Sequence, residues 1–281
     1  MKIGFIDYYL DEWHANNYPS LIRALSGGAM DIACAYGKID SPLPGGRTSA
    51  QWSGNMGIPL CDTIEEVITK SDALIVLAPD NSEMHEELCQ LPLRSGKPTY
   101  VDKTFAPDGQ TARRLATLAE KSGTPCFSTS ALRFAEEYRT IGRGGITAIS
   151  SWGPGDFETY AIHQIEPVVM LISSAPRRVL YTAVERWYAL VLEFEDNRYA
   201  TVSGFMDGSP FMMNLCDKSE TRIVTITSDF FTPFIKELID FFATGKAPLD
   251  VKATLMIMDI LEAGKKAQKK PGVWIPIYLC Q

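Results

Sequence analysis

A chain of 281 residues, with 46% hydrophobic and 22% charged residues, has the size and composition of a globular protein with two domains. Its net charge of −7 and the lack of a long basic run argue against nucleic-acid or anionic-membrane partners. The opening residues turn acidic at once, unlike a signal peptide, and no apolar stretch approaches the roughly 20 residues of a membrane span. We therefore expect a cytoplasmic protein.

The cysteines argue against a structural metal site. They are Cys34, Cys61, Cys89, Cys126, Cys216 and Cys280. They are scattered and include no C-x-x-C pair, so a zinc site is not predicted. We predict no metal and reduced thiols, as is usual in the cytoplasm.

The first part of the chain alternates between predicted strands and helices. In chain order these are strand 2–7, helix 18–25, strand 30–36, helix 64–70, strand 73–77, helix 83–94, strand 99–101, helix 111–121 and strand 124–128. Such alternation predicts an α/β domain with a parallel, Rossmann-like sheet over residues 1–128. Residues 37–57 are rich in Gly, Pro and Ser and predict a surface loop. Asp62 and Asp108 are predicted helix caps.

From about residue 129 the pattern changes. The predicted elements are helix 131–141, strand 146–152, helix 162–172, strands 179–187, 189–194, 199–205 and 222–227, and helices 230–244 and 252–269. Sequential strands with short connections predict an α+β domain over residues 129–281, with an open, mainly antiparallel sheet. Helices are expected to cover one face of this sheet only. We therefore predict a homo-dimer or higher homo-oligomer formed through the other face.

The turn between the first strand and the first helix lacks the glycines of a dinucleotide-binding loop. The positions of the G-x-G-x-x-G pattern fall on Asp7, Tyr9 and Glu12, and Asp11 adds a further carboxylate. Each carboxylate is expected to repel a pyrophosphate and can itself occupy the helix N-terminus. The second strand ends at Tyr36-Gly37-Lys38, with no acid for the adenosine ribose. Lys38 is either a partner for the 2′-phosphate of NADP or simply solvated.

A family resemblance is carried by Pro79, His85, Gly96-Lys97 and Asp102-Lys103-Thr104. Their order and spacing resemble the Gfo/Idh/MocA family, the glucose–fructose oxidoreductase and inositol dehydrogenase relatives. In that family a strand is followed by Pro, a polar loop, His, a helix, Gly-Lys, a strand and Glu-Lys-Pro. Two departures are a longer loop from Pro79 to His85 and Thr104 in the place of Pro. The order of elements resembles the family along most of the chain.

The resemblance implies an NAD(P)-dependent oxidoreductase that acts on a sugar, a polyol or a related metabolite, with NAD or NADP as cofactor. Ligands of open α/β sheets bind at the carboxyl ends of strands. The residues that we predict to contact the cofactor there are Asp7, Tyr8, Pro79, Asp80, His85, Asp102 and Lys103. The catalytic residues implied by the resemblance are Lys103 and His163, which handle the substrate proton. The alternatives are a strand-end lysine and a histidine packed under the sheet.

His163, Arg133 and Glu166 are the predicted substrate-binding residues. Glu166 follows His163 by one helical turn and can orient its ring. Arg133 is a partner for a carboxylate or for sugar hydroxyls, or forms an interdomain salt bridge. Thr159 stands where the family often has an aspartate. His14 either contacts a ligand in the crevice or fills the first helix–sheet interface.

Three functions are compatible with these residues. Lys103 and His163 favour the oxidoreductase. The altered phosphate loop favours a non-redox member of the family that binds a small ligand or a partner without turnover. Lyase-type chemistry at Lys103 or His163, without a dinucleotide, is the third.

Overall fold

The computed structural model describes residues 1–142 and 144–279, which divide into two compact units. The first unit contains Met1–Thr129 and Thr232–Val251. The second contains Ser130–Phe231 and the described residues from Lys252 onward.

A parallel sheet forms the core of the first unit. Its strands are β1 (Lys2–Asp7), β2 (Asp31–Gly37), β3 (Ala73–Val76), β4 (Thr99–Val101) and β5 (Cys126–Phe127). Within the described residues their order is β2-β1-β3-β4-β5, and every pairing is parallel. The predicted Rossmann-like sheet is confirmed. Hydrogen bonds from Leu77 N–H to Ile6 O and from Asp102 N–H to Val76 O, both 2.8 Å, bring the residues that follow β1, β3 and β4 to one edge.

The helices of this part differ from the prediction in three places, and the first of them begins at Trp13 and not at the predicted residue 18. They are α1 (Trp13–Leu25), α2 (Ser49–Met56), α3 (Ile64–Lys70), α4 (His85–Leu88) and α5 (Gly109–Lys121). The predicted loop over 37–57 contains α2, which starts with a capping box between Thr48 and Gln51. The predicted helix over 83–94 is split into α4 and two 3-10 turns, Ser82–Met84 and Pro92–Arg94, because Pro92 cannot continue a helix.

Helix caps explain two further boundaries. Asp108 caps α5 as predicted, and its carboxylate accepts the Thr111 N–H at 2.7 Å. The predicted cap Asp62 is wrong by one residue, because the Thr63 side chain accepts the Glu66 N–H.

The second unit is built on a mixed sheet. Its strands are β6 (Ile146–Pro154), β7 (Pro176–Val184), β8 (Trp187–Phe194), β9 (Tyr199–Phe205), β10 (Met212–Asp217), β11 (Thr221–Thr225) and β12 (Ile275–Pro276). Among the described residues their order is β11-β10-β6-β9-β8-β7-β12. Only the β6–β9 pair of these strands is parallel, so the predicted mainly antiparallel sheet is confirmed. The prediction missed β10, whose sequence MMNLCD contains no β-branched residue.

The later helices of the chain are α6 (Glu136–Arg139), α7 (Phe157–Ile172), α8 (Phe231–Thr244) and α9 (Val251–Gln268). The predicted helix over 131–141 is a 3-10 turn, Ala131–Phe134, followed by the short α6. α7 begins five residues before the prediction because Asp156 caps it. His163 therefore lies in the second turn of α7 and not at its start.

α8 packs with the first unit, although the sequence places it inside the predicted domain 129–281. The Phe234 ring lies 5.9 Å from Tyr18 and 5.5 Å from Tyr100, and Phe241 lies 4.7 Å from Phe127. These aromatic contacts extend the core of the parallel sheet. The chain thus returns to its first unit after β11 and enters the second unit again from Lys252.

No helix in residues 1–142 and 144–279 has the length and apolar character needed to cross a membrane. Five of the cysteines, Cys34, Cys61, Cys89, Cys126 and Cys216, are free thiols. Cys280 lies outside the described residues.

One face of the second sheet carries a row of incompletely buried side chains. The row runs through register partners on six strands, namely Leu180, Val191, Thr201, Ser150, Asn214 and Ile223. The opposite face meets α7, since a Cβ at Gly153 would clash with Gln164. Three members of the row are apolar, and Ile223 is 64% exposed.

We predict that this face pairs with another copy of the chain. Thr201 lies in the middle of the row, so Thr201→Arg should place a charge at the contact and shift the chain toward monomer. Thr117→Arg, the same change on the exposed side of α5, should leave the assembly unchanged. Sedimentation velocity at micromolar concentration measures both. A wild-type chain that sediments as a monomer would refute the assembly.

Candidate functional site

The N-terminus of α1 is occupied by a side chain of the protein itself. Glu12 is the N-cap, and its carboxylate accepts the backbone N–H groups of His14, at 2.8 Å, and of Ala15. In dinucleotide-binding folds these donors bind the pyrophosphate. The loop therefore does not fit a pyrophosphate at this position while Glu12 remains bound there.

Asp11 serves the neighbouring loop. Its carboxylate forms an ion pair with the Arg47 guanidinium and also accepts the Arg47 backbone N–H at 2.8 Å. The hydrogen bonds from Arg47 lower the pKa of Asp11 to about 2. Arg47 also donates to Asn16 on α1 at 2.7 Å. Asp11 therefore anchors the segment before α2.

Asp7 ends β1 and is 1% exposed. Its Oδ1 accepts the Tyr8 N–H at 2.7 Å, and its Oδ2 has no hydrogen-bond partner among the described residues. Burial, followed by the nearby charges of Glu12 and Asp102, raises the pKa of Asp7 well above its usual value. The environment thus favours the protonated carboxyl.

His14 joins two of these carboxylates. Its Nδ1 lies 2.8 Å from Glu12 Oε2 and its Nε2 lies 3.8 Å from Asp102 Oδ2. Burial opposes its positive charge, but Asp102 and the hydrogen bond to Glu12 outweigh burial and raise the pKa of His14. Its ring also packs edge-on against Tyr18 at 5.2 Å. The ring therefore packs on α1 among charged groups, and its contact with a ligand stays a prediction.

Lys103 lies directly beyond β4 and is 7% exposed. Its Nζ donates to Pro79 O at 3.1 Å and lies 3.8 Å from Asp80 Oδ1. The Lys103–Thr104 peptide is cis. Lys103 thus connects the loop after β4 to the loop after β3.

His85 connects the same two loops from below the surface. Its Nε2 lies 2.5 Å from Leu77 O, and its Nδ1 lies 2.9 Å from Thr104 O and 3.2 Å from Phe105 O. The side chain has no exposed surface, and this burial lowers the pKa of His85. His85 therefore holds the two loops together from a buried position, and its contact with a cofactor stays a prediction.

The other predicted cofactor contacts differ in accessibility. Asp7, Pro79, Asp102 and Lys103 are buried, Tyr8 is half-buried, and Asp80 is exposed. Asp102 is 2% exposed, and its Oδ1 accepts the Tyr100 hydroxyl at 2.8 Å. Lys38, considered as a partner for a 2′-phosphate, forms an ion pair with Glu87.

The second unit holds the predicted substrate residues. His163 Nδ1 lies 2.6 Å from the Ser130 hydroxyl, and the rings of Tyr160 and Phe211 lie edge-on at 5.5 and 6.0 Å. Glu166 was predicted to orient the His163 ring. It accepts the Ser130 N–H with both oxygens, at 3.0 and 3.1 Å, so its effect on the ring passes through Ser130.

Arg133 and Thr159 are the remaining positions of the second unit that the sequence analysis singled out. Arg133 is half-buried on the 3-10 turn Ala131–Phe134. The Thr159 hydroxyl donates to Asp156 Oδ2 at 2.6 Å. Ser130 is the residue that sequence reasoning missed, and its position before the 3-10 turn, where it caps Leu132, is the signal that could have found it.

Comparisons with known proteins show the fold. No protein-family model matches the chain, and no curated protein matches it. Solved structures do match. Myo-inositol 2-dehydrogenase from Lactobacillus plantarum is 15% identical, with a TM-score of 0.79 and 99% of each chain covered. GenD2 from gentamicin A biosynthesis, solved in complex with NAD, is 13% identical, with a TM-score of 0.79, covering 99% of this chain and 97% of that one. UDP-N-acetylglucosamine 3-dehydrogenase from Acidithiobacillus ferrooxidans is 13% identical, with a TM-score of 0.76, covering 96% and 97%.

The buried Asp7 predicts an unusual pH dependence. Its folded-state pKa is raised, so the folded chain holds a proton that the unfolded chain releases above about pH 4. Stability should fall as pH rises through that window. Asp7→Asn should therefore raise the free energy of unfolding at pH 7, by roughly 1 kcal/mol or more, and by less at pH 4.5. Urea unfolding at the two pH values measures this.

Asp11→Asn is the matched control. The pKa of Asp11 is lowered to about 2, so this carboxylate stabilises the fold above its unfolded pKa and loses that effect as pH falls toward 2. Asp11→Asn should destabilise the chain at pH 7. An Asp7→Asn variant whose free energy of unfolding does not rise at pH 7, or rises more at pH 4.5, would contradict the raised pKa of Asp7.

Glu12 predicts weak dinucleotide binding. Glu12→Ser keeps a good N-cap but removes the charge, and it frees an N–H donor of α1 for a phosphate. The repulsion between two unit charges a few ångströms apart is on the order of 1–4 kcal/mol. Removing the Glu12 charge should therefore lower the Kd for NADH about tenfold or more. NADH fluorescence titration measures it. Glu65→Ser, the same change in the exposed first turn of α3, should have no effect. Equal or weaker binding by a folded Glu12→Ser chain would contradict the prediction.

Proposed function

We propose that this chain is an oxidoreductase of the Gfo/Idh/MocA type that acts on a sugar, a polyol or a related metabolite. The observation that carries the proposal is Lys103, which lies buried at the carboxyl edge of the parallel sheet with its Nζ held by Pro79 O. This is the position at which open α/β sheets bind ligands. The fold shared with sugar and inositol dehydrogenases supports the same function. NAD or NADP is the cofactor that the resemblance implies.

The two proposed catalytic residues handle protons. The Lys103 ammonium has three N–H donors and gives one of them to Pro79 O. It can therefore also donate to a substrate oxygen. The His163 imidazole can take the proton of a substrate hydroxyl. A substrate contact by Arg133 is also part of the proposal.

The α1 N-terminus sets a condition on the cofactor. A dinucleotide has to displace the Glu12 carboxylate from the N–H groups of His14 and Ala15, or place its phosphates elsewhere. Either requirement weakens binding. We expect a higher Kd for NAD(P)H than in a fold with an open glycine loop.

The Glu12 carboxylate at the α1 N-terminus also favours a second candidate function. A chain whose anion site is permanently filled by Glu12 would bind a small ligand or a partner without redox turnover. In that case Lys103 and His163 are binding or structural residues. The cytoplasmic location, the homo-oligomer and the assignment of 1–128 to the nucleotide and 129–281 to substrate and assembly are further parts of the proposal.

A ligand and activity screen separates the two functions. Thermal-shift titrations with NAD, NADH, NADP and NADPH report binding to the folded state. Nicotinamide absorbance with a panel of sugars and polyols reports turnover. If the chain is an oxidoreductase, Lys103→Met should lower kcat and kcat/KM together by about 10²- to 10⁴-fold, because the lost group acts in the transition state. His163→Ala should fall in the same range.

The controls use the same side-chain change elsewhere. Lys121→Met, at the exposed end of α5, should keep wild-type kinetics. The oxidoreductase would be overturned if nucleotides bind without any absorbance change and if Lys103→Met and His163→Ala leave ligand affinity unaffected. That result would support the non-redox binder.

A further inference from the structure

Two aromatic rings border His163 in the second unit. The rings of Tyr160 and Phe211 lie edge-on to the imidazole, with centroids at 5.5 and 6.0 Å. Tyr160 stands on α7 one turn before His163, and Phe211 directly precedes β10. A ligand that reaches the imidazole therefore meets aromatic carbon beside it.

Glycines at the end of β6 make room for both rings. A Cβ at Gly153 would lie 2.8 Å from Cδ1 of Phe211, and a Cβ at Gly155 would overlap Cγ and Cδ2 of Tyr160. Gly155 also has a φ of +82°, a conformation that residues with a side chain rarely adopt. The segment Gly153-Pro154-Gly155 therefore determines where the two rings lie.

Tyr160 stays accessible although its ring is seated against Gly155. The residue is 42% exposed, whereas Phe211 is half-buried. The Tyr160 hydroxyl forms no hydrogen bond with any residue that the structure describes. A tyrosine with an apolar ring and a free hydroxyl is suited to a ligand that is apolar on one side and polar on another. Tyr160 thus offers such a surface beside His163.

The aromatic ring selects a class of ligand. Its face carries negative charge and attracts the weakly positive C–H groups of a ligand. In a pyranose or a cyclitol such as inositol, several C–H bonds project from one face of a rigid ring, and the hydroxyl groups lie around its edge. An open-chain polyol has no such face and loses more conformational freedom on binding.

We propose that Tyr160 is a specificity-determining residue that stacks on the C–H face of a sugar or cyclitol ring and places a ring hydroxyl at His163. The site therefore prefers a ring to an open-chain polyol, and Phe211 limits the space beside the imidazole. This inference rests on the proposed function for the role of His163, whereas binding at Tyr160 can be measured without cofactor or turnover.

Ligand titrations by NMR test the proposal on the full chain. The probes are myo-inositol and methyl β-D-glucopyranoside, with sorbitol as the open-chain counterpart. In a chain with ¹³C-labelled tyrosine, the ring signals of Tyr160, assigned with Tyr160→Phe, should shift with at least one ring probe. Sorbitol should bind more weakly than that probe. Tyr160→Ala should raise the Kd of the ring probe about 3- to 10-fold, while Tyr160→Phe, which keeps the ring, should stay close to wild type.

A matched control removes a tyrosine elsewhere. Tyr278 is 76% exposed near the end of the chain, so Tyr278→Ala should leave the Kd of the ring probe unchanged. If Tyr160→Ala does not fold, Tyr160→Leu, which fills space without an aromatic face, should raise the Kd in its place.

Kinetics supply the second measurement. Stacking on a substrate ring is equally strong before and during the reaction, so Tyr160→Ala should raise KM about 3- to 10-fold and leave kcat nearly unchanged. Tyr160→Phe should restore KM.

The two hypotheses fail in different ways. A wild-type chain that turns over no substrate overturns the proposed function, yet the NMR titrations still decide whether Tyr160 binds a ring. The inference is overturned if the Tyr160 signals shift with neither ring probe, or if Tyr160→Ala and Tyr160→Leu bind the ring probe as tightly as wild type. Sorbitol binding as tight as that of the ring probe, or an unchanged KM for Tyr160→Ala in an active enzyme, overturns it as well.

Discussion

The Glu12 carboxylate at the N-terminus of α1 binds both the helix backbone and the His14 side chain. It accepts the N–H groups of His14 and Ala15 and bonds to the His14 ring. The same charge contributes to the raised pKa values of Asp7 and His14. A glycine loop would leave these N–H groups for an anionic ligand. Here the Glu12 carboxylate satisfies them, and its charge adds to burial in raising the pKa of Asp7.

The charges at this edge of the sheet are matched within the protein. Asp7, Glu12 and Asp102 are all at least nine-tenths buried, and the His14 ring lies 2.8 Å from Glu12 and 3.8 Å from Asp102. A buried charge needs a partner or a proton. The raised pKa of Asp7 favours its protonated form, and the raised pKa of His14 favours a positive charge beside Glu12 and Asp102. A pyrophosphate would add a further negative charge to this group, so we expect the chain to bind a dinucleotide weakly.

Local patterns in the sequence predict the fold well and the site only in part. Alternating strands and helices predict the parallel sheet, and the motif around Lys103 predicts where the proposed site lies, because both signals are contiguous in the chain. The contacts of His85 with backbone carbonyls, of Ser130 with His163, and of α8 with the first unit arise from tertiary packing. Residues far apart in sequence form them, so no spacing rule reveals them. Glu12 is the exception, since a carboxylate before a helix is itself a capping signal.

Backbone amide NMR during a titration with NADH tests the role of Glu12 most directly. The N–H groups of His14 and Ala15 report whether the Glu12 carboxylate stays bound. We expect that these resonances do not shift at low NADH and that binding does not saturate below roughly 1 mM, which corresponds to a weak interaction. Saturation at micromolar NADH, with the His14 and Ala15 amides unmoved, would show a dinucleotide site independent of α1 and would contradict it.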